Sequence, residues 1–101
     1  MAQLYNENSI NTSVTVGATS LKVSYAKKRK SFILRNVSTG GQVISLALAN
    51  NVVAAVNTGI VLNVNDAVVD SNSGNYQCWS GDISAVASAA GGILSINEVL
   101  E

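Results

Sequence analysis

The sequence predicts an all-β fold, an antiparallel, jelly-roll-like β-sandwich of eight or nine short strands. Val, Ile, Thr and Ser are abundant, and the apolar residues come in short runs. Gly, Asn, Asp and Ser separate these runs at intervals of about 8–12 residues, the spacing typical of sandwiches and jelly rolls. The length of 101 residues suits one domain around one core, and no internal repeat or linker divides it.

Apolar and polar residues alternate within each predicted strand. The clearest example is the second one, where Leu21, Val23 and Tyr25 alternate with Ser and Lys, the pattern of a strand with one buried face. The same reasoning predicts nine strands, at residues 12–16, 20–25, 31–36, 43–49, 59–63, 67–71, 76–80, 83–88 and 92–97.

Two regions depart from this pattern. Residues 50–58 contain several Val and Ala residues without alternation, which predicts either one helical turn or a loop packed on the core. Residues 1–11 are polar and precede the first predicted strand, so we expect an N-terminal arm followed by a sandwich domain over residues 12–101. The arm is either a disordered tail or a segment that lies on a neighbouring subunit, with Leu4 and Tyr5 as its anchors.

Charged and reactive side chains are scarce. The chain has no His, one Cys, a net charge of zero and 12% charged residues, against about 25% in a typical soluble domain. This composition excludes most acid–base, nucleophilic and metal chemistry, and it leaves a surface that we expect other subunits to complete. It predicts a small structural or binding module in an assembly, with no field to attract nucleic acid or an anionic membrane.

The start of the chain carries no secretory signal pattern, and no apolar run reaches the roughly 18 residues of a spanning helix. We therefore expect a protein made in a cytosol, with no membrane partner.

The few reactive groups lack suitable partners. Cys78 has no His to activate it and lies between Gln77 and Trp79 in a strand pattern, so we expect it to be a buried small hydrophobic residue. Asp66 and Asp70 are four positions apart and could share a strand face, as a carboxylate-pair hydrolase or a calcium site requires. Asp66, however, follows Asn65 in a turn signal, where Asp is common. We predict no catalytic, cofactor-binding or metal-binding residues and no enzyme.

A basic run, Lys27, Lys28, Arg29 and Lys30, holds four of the six positive charges, between two predicted strands. It is either a solvated turn or a contact for phosphates or an acidic protein surface. Nucleic-acid binding is not favoured, because no aromatic residue lies beside the run to stack on bases. The candidate partner contacts are therefore these four residues and the arm residues Leu4 and Tyr5.

Four sequence patterns carry a resemblance to a known family. They are Arg-x-x-Φ-x-Φ-x-Asn at residues 29–36, Gly-Ile-x-Leu at 59–62, Trp-x-Gly-x-Ile-x-Ala at 79–85 and Gly-x-Leu-x-Φ-x-Glu at 92–98, where Φ is apolar. In these patterns the chain resembles the small β-sandwich modules of tailed-bacteriophage virions, over about residues 29–98. The departure from such modules is the stretch 50–58.

The resemblance implies a structural virion protein without a cofactor. Such modules occur as free capsid decoration (cement) proteins, and the implied partner is then the major capsid protein, bound at the capsid surface by a dimer or trimer made in the host cytoplasm. They also occur in fibres, so the alternative is a receptor-binding tip or a tail fibre or adaptor module.

Overall fold

Eight β-strands build the domain in the computed structural model, which describes residues 8–101. The strands are β1 Ser9–Val16, β2 Leu21–Ser24, β3 Arg29–Asn36, β4 Ile44–Leu48, β5 Ile60–Leu62, β6 Ala67–Ser71, β7 Ile83–Ala87 and β8 Gly92–Leu100. The described part of the chain contains no helix.

The strands form two four-stranded antiparallel sheets. One, here called the front sheet, has the order β1-β8-β3-β6, and the other, the back sheet, has the order β2-β7-β4-β5. The chain changes sheet at every connection except the one between β4 and β5, which are paired neighbours in the back sheet, so that each sheet takes strands from both halves of the chain. This double Greek key is the topology of a jelly roll, and it confirms the predicted all-β sandwich.

One continuous core fills the space between the sheets. The alternate residues of β3 and β8 turn inward, among them Phe32, Leu34, Leu94 and Ile96, and meet inward residues of β4 and β7. Five large apolar side chains of these four central strands are completely removed from solvent, namely Phe32, Leu34, Ile44, Ile83 and Leu94. Each such side chain contributes about 1.5–3 kcal/mol when it is buried, so the core is the main source of stability.

The prediction of a strand at residues 76–80 is wrong. Only an isolated bridge between Ser73 and Tyr76 forms there. Side-chain oxygens rather than a strand satisfy the next backbone groups: Asn72 Oδ1 accepts from the Cys78 N–H at 2.8 Å, and Asp70 Oδ2 accepts from the Trp79 N–H at 3.0 Å. Such local side-chain hydrogen bonds replace the hydrogen bonds between strands. Alternation of apolar and polar residues in the sequence does not reveal this replacement.

The first strand begins earlier than predicted. β1 starts at Ser9 and pairs with β8 without a register shift, so that Ser9 lies opposite Val99 and Asn11 opposite Asn97. The last three residues of the predicted arm therefore belong to the front sheet. Residues 1–7 of the predicted arm lie outside the described residues.

Residues 50–58, here called the valine loop, cover the outer face of the back sheet. The Ala54 N–H donates to Ser20 Oγ and the Asn57 N–H donates to Ser45 Oγ, both at 2.9 Å. Asn51 and Asn57 have φ of 58° and 64°, a left-handed conformation that Asn tolerates better than most residues. The loop makes no helical turn, and β7 beneath it is buried on both faces.

Candidate protein-docking surfaces

Arg29 lies inside the domain, although it belongs to the predicted basic turn. It opens β3 beside a register shift relative to β8, and its side chain is 1% exposed. Its Nε donates to Glu98 Oε2 at 2.6 Å, and its two terminal nitrogens donate to Ser24 Oγ and to backbone carbonyls of Tyr25, Trp79 and Gly81. All five N–H groups of the guanidinium thus have acceptors.

Glu98 is the counter-ion of Arg29 and is equally buried. Its second oxygen accepts from Lys27 Nζ at 3.0 Å, and Ser24 Oγ donates to Oε2 at 2.6 Å. Burial opposes ionisation of this carboxyl, but the hydrogen bonds from Ser24, Arg29 and Lys27 outweigh it and hold the pKa of Glu98 below its ordinary value.

This charge cluster, made of Ser24, Lys27, Arg29 and Glu98, closes one end of the sandwich. It ties β2 of the back sheet to β3 and β8 of the front sheet, and no buried polar side-chain atom in the described part of the chain lacks a partner. Because every strong donor and acceptor in the cluster is engaged, its role is structural.

The predicted partner contacts therefore separate into three groups. Lys28 and Lys30 are exposed, and a contact through them stays a prediction. Lys27 is half-buried and forms an ion pair with Glu98. Arg29 is buried and cannot contact a partner. Leu4 and Tyr5 lie outside the described residues.

Asn36 closes the opposite end of β3. It is fully buried, its Nδ2 donates to the carbonyls of Gln42 and Leu62 at 2.8 and 2.9 Å, and its Oδ1 accepts from the Ser38 N–H. The first sequence pattern thus begins and ends on buried polar side chains with the core residues Phe32 and Leu34 between them. Both ends of the pattern are therefore structural positions inside the domain.

The carboxylates are also used internally. Asp66 accepts from the Asn63 N–H in the turn before β6, and Asp70 holds the segment after β6 as described above. Asp82 is buried, and its hydrogen bonds from Lys22 and the Ala26 N–H lower its pKa. No three Asp, Glu or Cys residues of the described chain are grouped so that they could share a metal ion.

Cys78 is buried, as predicted, and burial raises the pKa of its thiol to about 11. A buried thiol in its protonated form is a poor nucleophile.

The outer face of the front sheet is a broad surface with almost no charge. Its residues are those that alternate with the buried ones along each strand. They are Ser9, Asn11, Ser13 and Thr15 of β1, Ile93, Ser95, Asn97 and Val99 of β8, Ser31, Ile33 and Arg35 of β3, and Ala67, Val69 and Ser71 of β6. Arg35 is the one charged residue among them.

The valine loop gives the back of the domain a second charge-poor surface. Val52, Val53 and Val56 project outward, and Val53 is 76% exposed. Ala54 of the loop is buried, and its N–H donates to Ser20 Oγ. These contacts hold the loop in place, and the three valine side chains project from it. A groove of about 500 Å³ runs between this loop and β2, and Lys22 is the charged residue in its lining.

Sequence reasoning missed both surfaces as candidate sites. The consecutive Val52 and Val53 between turn-forming Asn residues were an available signal for an exposed apolar loop. The front face needed the sheet order, because its members come from four separate strands.

Comparison with protein families, with curated proteins and with solved structures finds no match for this chain. Within residues 8–101, no helix has the length and apolar character required to cross a membrane.

Proposed function

We propose that this protein is a non-catalytic structural protein of a bacteriophage virion, which binds the major capsid protein and stabilises the capsid as a cement protein. The support comes from the surface of the domain, from its jelly-roll topology and from the sequence patterns shared with virion modules. Jelly rolls recur in viral capsid domains.

The observation that carries the proposal is the placement of the charges. A chain already poor in charge buries Arg29, Asp82 and Glu98, while its broad front face exposes Ser, Asn, Thr, Val and Ile with a single Arg. Charged residues are depleted from the cores of protein–protein interfaces, because their desolvation is costly. A face of this composition suits burial against another protein better than permanent contact with water.

The two charge-poor surfaces lie on opposite sides of the sandwich, one on the front sheet and one on the valine loop. A protein with two such surfaces can contact two neighbouring subunits at once. On a shell with many identical copies, modest single contacts sum to a strong effect because the partners are already held together.

A charge placed in the front face tests this docking. Ile33 lies on a central strand of the face and is 40% exposed, so Ile33→Lys leaves the core intact but buries an unpaired ammonium on docking. We expect rebinding to stripped particles at least ten-fold weaker, since such a charge costs more than about 1.4 kcal/mol.

Thr39→Lys adds the same charge at an exposed loop position outside the face and is the matched control. Both variants should keep the wild-type unfolding midpoint. Equal rebinding of Ile33→Lys, Thr39→Lys and wild type would remove the front face from the proposal.

A receptor-binding tip or tail fibre or adaptor module is the second candidate, and the exposed valine loop favours it. Binding residues often lie on loops that a rigid scaffold positions. For this function, Val53→Ser should reduce adsorption of particles to cells while the amount of the protein per particle is unchanged. For the cement function, the same variant should leave adsorption unchanged.

A further inference from the structure

We infer that two copies of this chain form a twofold dimer by antiparallel pairing of their β1 strands. The inference concerns the open edge of the front sheet and is independent of the virion role proposed above. It would join two front sheets into one continuous sheet twice as wide.

The four sheet edges differ in how well they are protected. An edge strand exposes unpaired backbone groups, and proteins normally protect it by shortness, charge, bulges or a covering segment. β5 has three residues, and β2 has four with a register shift and Lys22. β6 carries Asp70, which accepts from the Trp79 N–H and so holds the segment at Trp79 beside it.

β1 has none of these protections within the described chain. It is eight residues long, carries no charge and no proline, and pairs with β8 without a bulge. A long, regular, uncharged edge is the form of strand that adds to another strand.

The backbone groups of β1 that face outward can be identified from its pairing. The Leu100 N–H donates to the Asn8 carbonyl at 2.9 Å. Asn8 and Leu100 are therefore a hydrogen-bonded pair, and so is every second residue pair along β1 and β8 after them. The intervening residues Ser9, Asn11, Ser13 and Thr15 direct their N–H and C=O groups to the open edge. Among the described strands, none pairs with β1 on that side.

The occupant is a second β1 because the strand is chemically palindromic about Thr12. In an antiparallel pair centred there, Asn11 faces Ser13, Ile10 faces Val14 and Thr12 faces its own copy; at the ends, Ser9 faces Thr15. The outward backbone groups fall in hydrogen-bonded pairs in this register.

The same register places like side chains opposite each other. Ile10 and Val14, each half-exposed in the single chain, cover one another, and cross-strand aliphatic and Thr–Thr pairs are favourable. No charge opposes the pairing, since β1 carries none and the net charge of the chain is zero.

Cysteine cross-linking tests the register directly. Thr12 would form a non-hydrogen-bonded pair with its copy, at a Cα separation of about 4.5 Å, within the range that a disulfide spans. We expect Thr12→Cys to give a covalent dimer on mild oxidation of the full-length protein. Ser9→Cys is the matched control, because its copies lie about 20 Å apart along the strands and should not be linked. The native Cys78 is buried and does not compete.

Sedimentation at several concentrations gives the second readout. Thr12→Lys puts two ammonium groups opposite each other, so we expect the dissociation constant of its dimer to be at least about five-fold higher. At concentrations where both proteins are monomeric, its unfolding midpoint should match that of the wild type, because Thr12 is exposed. A trimer, a wild-type monomer at all concentrations, cross-linking of Thr12→Cys to a different protein, or equal cross-linking of both cysteine variants would each overturn the inference.

Discussion

Arg29 shows how much of this fold depends on one side chain. Its guanidinium joins β8 through Glu98, β2 through Ser24 and the segment before β7 through the carbonyls of Trp79 and Gly81. A buried ion pair adds little over a well-packed apolar pair of the same size, but removing one partner leaves a buried charge without compensation. The charge cluster therefore stabilises the fold only while all of its members are present.

Removing the guanidinium should be costly. We expect Arg29→Ala to lower the free energy of unfolding by about 3–5 kcal/mol, because Glu98 stays buried with only Lys27 as a counter-ion and the carbonyls of Trp79 and Gly81 lose their donor. Lys30→Ala removes a neighbouring charge that is exposed and should change the stability by less than about 0.5 kcal/mol. Urea denaturation of both variants measures the difference, and similar midpoints for the two would contradict the structural role of Arg29.

Acid should weaken the same cluster. The pKa of Glu98 is lower in the folded protein than its ordinary value, so its ionised form stabilises the fold. That contribution is complete above the unfolded pKa of about 4.3 and is lost as the pH falls through the lower folded pKa.

The urea midpoint measured from pH 7 to pH 3 should therefore fall in the acid range, with a further contribution from Asp82, whose pKa is also lowered. Glu98→Gln should be less stable at pH 7 and less sensitive to acid. Glu101→Gln alters an exposed carboxylate and should keep the wild-type profile. An unchanged acid profile in Glu98→Gln would show that its ionisation does not stabilise the fold.

At the scale of elements, the strands were predictable where a buried face alternates with an exposed one. β3 is the best example, since Phe32 and Leu34 are buried and Ile33 and Arg35 exposed. The alternation predicted a strand at residues 76–80 that does not form. There, side-chain oxygens of Asn72 and Asp70 accept the backbone hydrogen bonds that a neighbouring strand would accept. A single sequence does not show which groups will pair.

The valine loop could be anticipated only in part. Its lack of alternation indicated a packed loop or a helical turn, but the surface on which it packs depends on the hydroxyls of Ser20 and Ser45. These residues are distant in the sequence and come together only through the sheet order.

The N-terminus offers a test at this scale. Deleting residues 1–7 leaves β1 whole and provides the reference for a longer truncation. Deleting residues 1–11 removes the first three pairs with β8 and the half-buried Ile10, and should lower the stability by about 1–3 kcal/mol. Thermal unfolding of the two truncations measures this, and equal stability would mean that the start of β1 contributes nothing to the sheet.

At the scale of the whole molecule, the sequence patterns and the two candidate docking surfaces are separate sets of residues. The patterned positions Arg29, Asn36, Leu94 and Glu98 are all buried, so these positions contribute to the packing of the fold. The front face has no such pattern, because Ser, Asn and Thr on the outside of a sheet obey no packing constraint. Sequence could therefore suggest an assembly from the low charge, but it could not locate the contact.

The abundance of the protein in purified phage particles tests the cement role most directly. Quantitative mass spectrometry against the major capsid protein gives the number of copies per particle. A cement protein is expected in hundreds of copies, in a simple ratio set by the capsid symmetry. Tens of copies or fewer, or absence from particles, would contradict the proposed function, and the lower number would favour a tail component.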